Sequence, residues 1–278
     1  MASSNIAPCI IETGLVSPRR PLSERLWSII QPLIPKPKIN HPLGCHRQRI
    51  PDRQVLTGIL FVLITGCQWK ALDATGICSS STAHRRFQEW AEADVFRSLW
   101  HLGLFECLSQ KGLDLGWLSM DGAMTKAPLG GDSTGPNPTD RGKLGVKRSL
   151  LVEAMGLPIG LVVDGANRHD SKLVVETLAS CPIDLHLVEN LCLDKGYDYE
   201  HIRIIIEACG INAHIVGRGQ EKKAKLAGQK AHRWVVERTH SWLNRNRGIL
   251  IRWAKKDENY QAQLELACGI IVWRSLLG

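Results

Sequence analysis

From Leu113 onward the chain alternates short β-rich runs with segments of helical period, and that alternation constrains the fold more than any other feature. LGWLSMD is a short apolar run ending in an acid. KRSLLVEAMG and PIGLVVDGAN follow, with Gly156-Leu157-Pro158 between them as a hairpin turn. Asp170 is expected to cap a helix reaching Leu178. LHLVENLCLD reads as a fourth strand, again ending in an acid. Ile202, Ile205, Ile206 and Cys209 recur at helical spacing, and INAHIVG reads as a fifth strand. A basic loop with Arg218, Lys222, Lys223, Lys225 and Lys230 leads into a helix expected from Ala231 to Arg245. Tyr260, Leu264, Ala267 and Ile271 mark the apolar face of a last helix. The order is β-β-β-α-β-α-β-α. Three strands able to pair antiparallel thus lead into crossovers that lay helices over a mixed sheet.

The first part of the chain has a different texture. Residues 1–20 are polar and irregular and read as a disordered arm. A helix is expected from Leu22 to Ile34, with Ser23 near its start and Pro35 as its stop. Asp52 is expected to cap a helix running to Ile64, ended by Gly66. The serine-rich start at 79–82 precedes His84, Arg85, Arg86, Phe87 and Trp90, and another helix spans Val95 to Ser109. Residues 21–112 therefore form a small all-helical domain, and residues 113–278 the α/β domain. Helix N-terminal turns carrying Arg85 and Arg86 suit phosphates or a groove. The plainer alternative is a bundle whose arginines face water.

The formal net charge of +8 suits a polyanionic partner, because each cation set against a phosphate releases counterions. The N-terminus lacks the basic and apolar stretches of a secretory signal. The longest apolar run, Val55 to Cys67, falls short of the roughly 20 residues of a membrane span. The nine cysteines contain no C-x-x-C pair and no accompanying zinc-spaced histidines, so they read as reduced packing residues. A cytoplasmic, nucleoid-associated protein with no membrane partner is expected.

Three acids stand where chemistry is plausible. Asp121 closes the first strand run, and Gly122 beside it leaves room for backbone or metal to approach. Asp194 closes the fourth. Glu237 lies between Val236 and Trp242 on a packing helix. Carboxylates gathered without a cation repel and raise one another's pKa, so such a cluster is costly unless it holds metal. Two Mg²⁺ ions about 3.5–4 Å apart would neutralise a phosphodiester and serve its attacking and leaving oxygens. Each acid alone has an ordinary reading: an Asp after a strand is usually a turn residue or cap, and Glu237 could pair with Arg233 or Arg238. Asp164, Asp170 and Asp198 compete, Asp170 as a cap and the others as loop residues. Only the combination of topology and position selects Asp121, Asp194 and Glu237. Arg233, one turn before Glu237, could hold that carboxylate or clamp a phosphate. His240, Asn244, Arg245 and Arg247 continue the polar stripe. Trp234 and Trp242 read as core, or else as platforms for a base.

The strand order is that of the RNase H-like fold, and the blocks of sequence go further. DRQVLTGILFVLITGCQWKAL, STAHRRFQEW, MDGAMTKAP, TDRGKLGVKRSLLVEAMGLPIGLVV, ANRHDSK, LDKGYD and RWVVERTHSWLNRNRGILIRW occur in order over nearly the whole chain. In them the chain resembles the DDE transposases of bacterial insertion sequences, in the group numbered four and five. The resemblance implies that Asp121, Asp194 and Glu237 are the catalytic and metal-holding D, D and E, using two Mg²⁺ with Mn²⁺ able to substitute. It implies double-stranded DNA as partner, both as terminal inverted repeats and as target, and a homodimer or higher oligomer on that DNA. Lys195, Arg233, Arg238, Arg245, Arg247, Arg85 and Arg86 are the expected DNA-binding residues. Around the Glu the family carries Tyr, two residues, Arg, three residues, Glu, six residues, Lys. Arg233 and Glu237 fit, while positions 230 and 244 hold Lys and Asn. The interval from Asp194 to Glu237 is too short for the large β insertion of some relatives. The rival readings are an RNase H-like nuclease or resolvase that cuts without joining, and a DNA-binding regulator without chemistry. A metabolic α/β enzyme would need a nucleotide fingerprint after a strand, and none is present.

Overall fold

Nine-residue Leu144–Val152 is the strand around which the sheet forms, because it is buried on both faces for all but its first residue. The structure, a computed structural model, describes residues 23–37, 49–215 and 234–277. Its helices are α1 (Glu24–Ile30), α2 (Asp52–Thr65), α3 (Ser80–Glu92), α4 (Val95–Gln110), α5 (Val174–Ala179), α6 (Glu200–Ala208), α7 (Trp234–Asn244) and α8 (Asp257–Leu277). The strands are β1 (Trp117–Lys126), β2 (Gly135–Pro136), β3 (Leu144–Val152), β4 (Pro158–Gly165), β5 (Asn190–Leu193) and β6 (Asn212–Ile215). Across the sheet the main strands run β4-β3-β1-β5-β6. The first three are antiparallel, and β5 and β6 lie parallel to β1. This is the mixed, RNase H-like sheet that the alternation predicts.

Several local signals act as expected. The Ser23 hydroxyl accepts from the Leu26 amide at 3.1 Å and caps α1, which tightens into a 3-10 turn at Gln31–Leu33 before Pro35. Gly66 ends α2 in the left-handed region at φ 68, where a side chain would strain the backbone. Ser79 caps α3, and Gly156 at φ 88 turns the β3–β4 hairpin.

Others are redistributed. Asp52 is the first residue of α2 rather than its cap; Pro51 takes the cap position. The Asp52 carboxylate instead receives Arg86, whose side chain is 1% exposed and whose Nη2 also reaches the Ile50 carbonyl. Arg86 ties α3 to the start of α2 and cannot meet a DNA groove. Asp170 is not a cap either: His169 fills that place, accepting from Ser171 N, and Asp170 pairs with the buried Lys147 at 3.0 Å. Two-residue β2, beside the start of β3, had no signal in the sequence.

The helical segment and the sheet share one apolar core. α4 lies along α8, where Trp273 Nε1 donates to the Leu99 carbonyl at 2.9 Å, and Trp100 Nε1 reaches the Pro158 carbonyl at 2.7 Å. The change of texture near residue 112 is thus a change of secondary structure within a continuous core. Among the described residues no helix is long and apolar enough to cross a membrane. The described cysteines are all free thiols, most of them buried. The expected arm at 1–20, the basic loop with Arg218 to Lys230, and Arg233 lie outside the described residues.

Candidate active site

β1 does not stop at Asp121 as its sequence suggests. It runs on to Lys126, because β3 remains paired with it from Ser119 through Lys126. On its other side the parallel pairing with β5 ends early, with Trp117, Leu118 and Ser119 opposite Asn190, Leu191 and Cys192. Continuing that register two positions sets Asp121 opposite Asp194, which is the first residue beyond β5. The two acids therefore stand abreast where the ladder opens, a place at which side chains from two strands can reach one ligand. Both are half-buried. Asp121 Oδ1 accepts from the Gly122 amide at 2.8 Å, and Asp194 Oδ1 from the Gly196 amide at 2.6 Å, which orients each carboxylate by a local turn.

Residues directly opposite in an antiparallel pair share a face, so Asp121 and Ala123 lie on the same face as Leu150 and Arg148. α7 covers this face. Its middle is fixed to the β3–β4 hairpin, where Thr239 Oγ1 donates to the Gly156 carbonyl at 2.7 Å and Arg238 to that of Met155. Farther along, Asn244 Oδ1 accepts from Arg148 Nη2 at 3.0 Å. Glu237, His240 and Asn244 fall at i, i+3 and i+7, one stripe of the helix. His240 lies beside the Asp121 backbone and Asn244 against Arg148, so the exposed Glu237 stands on the stripe that borders Asp121.

His240 is almost wholly buried, with the Asp121 backbone as a polar neighbour of its ring. Burial, with Arg148 nearby, holds its pKa down to about 3. The imidazole is neutral in the folded chain and must be protonated in the unfolded chain below pH ~6.5. Its contribution to stability is complete above that value and is lost as pH falls toward 3, by about 1.4 kcal/mol per pH unit. Denaturant midpoints at pH 7 and 4.5 should show this fall, and His240→Gln should flatten it. An equal fall in the variant would remove His240 as its source.

On the opposite face Gly122 has a purpose other than admitting metal. A Cβ there would overlap Asp170 Oδ1, so the glycine makes room for the Asp170 carboxylate and the Lys147 it pairs with. Of the remaining expected site residues, Lys195 is exposed directly after Asp194, and Arg245 and Arg247 are exposed beyond the end of α7. Arg85 is exposed on α3, within 3.7 Å of Glu89. Arg238 is sandwiched between Trp234 and Trp242, with its Cζ 4.4 Å and 4.7 Å from the ring centroids. Trp234 is 50% exposed, so it is not a core residue. Lys147 and Arg148 carry a sequence signal of their own, since two adjacent cations inside an otherwise apolar strand mark buried charge.

Among the described residues no three His, Cys, Asp or Glu side chains are close enough together to hold one metal ion. The donors nonetheless fit a hard cation in kind: two half-buried carboxylates abreast, and a third on the helix stripe beside them.

A family model described as a provisional transposase of the IS4/5 family matches residues 22–100, and a transposase DDE domain matches residues 191–273. A protein of Burkholderia cepacia provisionally named as the transposase for insertion sequence element IS402 is 34% identical over 154 residues. That match takes in 53% of this chain and 72% of the relative. The chain belongs to the transposases of insertion sequences. A second Burkholderia cepacia relative, an uncharacterized 16.2 kDa protein of the IS402 element, is 34% identical over 118 residues, 42% of this chain and 80% of its own length. Among solved structures, a pre-cleavage Mos1 transpososome aligns with 97% of the chain and 91% of its own, at 10% identity and a TM-score of 0.29. A Mos1 paired-end complex aligns at 12% identity and 0.28, and at such scores neither bears on the fold of this transposase. Membership in a DDE family implies use of a divalent metal.

Proposed function

We propose that this transposase cuts DNA at the two ends of an insertion sequence and joins the freed 3′-hydroxyls to a target, with Asp121, Asp194 and Glu237 as the catalytic acids. The observation that carries the reading is the shared register of β1 and β5, which aligns Asp121 with Asp194 just where their ladder ends. These three residues would hold a pair of divalent ions, Mg²⁺ or Mn²⁺, which supply charge neutralisation and an activated oxygen when bound. The chain's own task is to bring Glu237 toward the two aspartates along the α7 stripe. In the first step an oxygen from water adds to phosphorus at the element's end, and the bond from that phosphorus to the 3′-oxygen breaks. In the second the 3′-oxygen attacks a target phosphorus, the target's own 3′-oxygen leaves, and its proton balance is met by solvent.

Lys195, directly after Asp194, and Arg245 and Arg247, beyond the end of α7, would serve the phosphates of the bound end. Arg85 and the helical segment at 21–112 serve recognition of the inverted repeats, and residues 113–278 perform the chemistry. Holding two ends together calls for a homodimer or larger assembly on DNA. Incubating the protein with labelled element ends, a target plasmid and Mg²⁺ tests the reading. Joined products are expected; cut ends that never join would favour a nuclease instead.

A further inference from the structure

Arg148 is the least conventional side chain in the fold. It is 2% exposed in the middle of β3, and two of its guanidinium nitrogens, Nε and Nη1, have no hydrogen-bonding partner. A buried cation with unmet donors costs free energy, so its retention calls for a reason. Nη2 donates to Asn244 Oδ1 at 3.0 Å, and the guanidinium also interacts with the Tyr260 side chain. The groups around it are the neutral His240, the Tyr260 hydroxyl, which donates to the Ile249 carbonyl, and the Cys268 thiol. On the sheet it is the diagonal cross-strand neighbour of Asp121, a separation of about 7–8 Å that a long side chain can span. Arg148 thus reaches from the strand next to Asp121 to the helix that carries Glu237.

We infer that Arg148 is a positioning residue which, through Asn244, sets the placement of α7 and hence of Glu237 relative to Asp121. The inference rests on the proposed role of these acids. The hairpin contacts of Thr239 and Arg238 hold the middle of the helix, and beyond them the buried Leu243, together with Asn244, holds its C-terminal turn. The Arg148–Asn244 bond adds the polar tie that sets the azimuth of that turn against β3.

The test compares the full-length wild-type chain with Arg148→Met, Arg148→Lys and Asn244→Leu. Mn²⁺ affinity is measured by electron paramagnetic resonance on DNA-free protein, alongside end binding and cutting. Methionine keeps the buried volume, and Asn244→Leu severs the same bond from an exposed position should the strand variant fold poorly. Both should weaken Mn²⁺ binding and cutting by roughly 10–100-fold with end binding unchanged, and Arg148→Lys should recover part of the loss. Wild-type Mn²⁺ affinity in a folded Asn244→Leu or Arg148→Met protein would overturn the inference while leaving the catalytic acids in place. A wild-type chain that neither binds Mn²⁺ nor cuts would overturn the reading of the site, and this inference with it.

Discussion

Alanine at Asp121 or Asp194 should abolish strand cutting and leave capture of end DNA nearly intact. The two carboxylates stand abreast at the end of the β1–β5 ladder, and losing either would remove a ligand from the proposed cation site. Charge stabilisation by such ions is worth several kcal/mol, so the expected loss in rate is on the order of 10³-fold or more. Glu237→Ala should behave alike. None of the three acids bears apolar core packing, so the variants should melt close to the wild-type temperature. A gel-shift titration and a cleavage assay on the same preparations separate the effects. Variants that still cut a pre-nicked end at wild-type rate would refute the assignment of the acids.

The second large effect falls on the opposite face of the same strand. In Gly122→Ala the new methyl group collides with Asp170 Oδ1, and Asp170 cannot yield without releasing Lys147. Lys147 is 4% exposed, so the release leaves a buried ammonium with only the Arg168 carbonyl. Overpacking combined with a broken buried pair should cost about 2–4 kcal/mol. Any shift of β1 also moves Asp121, for which a displacement of about 1 Å can cost 10²-fold in rate. Chemical denaturation and the cleavage assay should both register the change. A Gly122→Ala protein as stable and active as the wild type would show that the strand has slack there.

Much of this arrangement is legible in the sequence wherever a signal is local. Ser23, Ser79 and Gly66 act through hydrogen bonds or backbone angles a few residues away, and helix ends follow from them. Asp194 was recognisable as a strand end because β5 is short and its pairing stops there. That β1 continues past Asp121 is not legible, because nothing in MDGAMTKA reveals that β3 holds β1 in register to Lys126. The roles of Asp52, Asp170 and Arg86 depend on partners far along the chain, and a capping rule cannot anticipate them. Family resemblance pointed to a cation at position 244. The structure instead has Asn244 accepting from the guanidinium of Arg148, a cation that the sheet itself provides.

Crystals of the protein bound to end DNA and soaked in Mn²⁺ give the most direct measurement, through the anomalous signal of the metal. The account predicts ion peaks about 2.0–2.3 Å from carboxylate oxygens of Asp121 and Asp194, with Glu237 completing the set. Peaks held by other residues, with Asp121 and Asp194 left unligated, would contradict it.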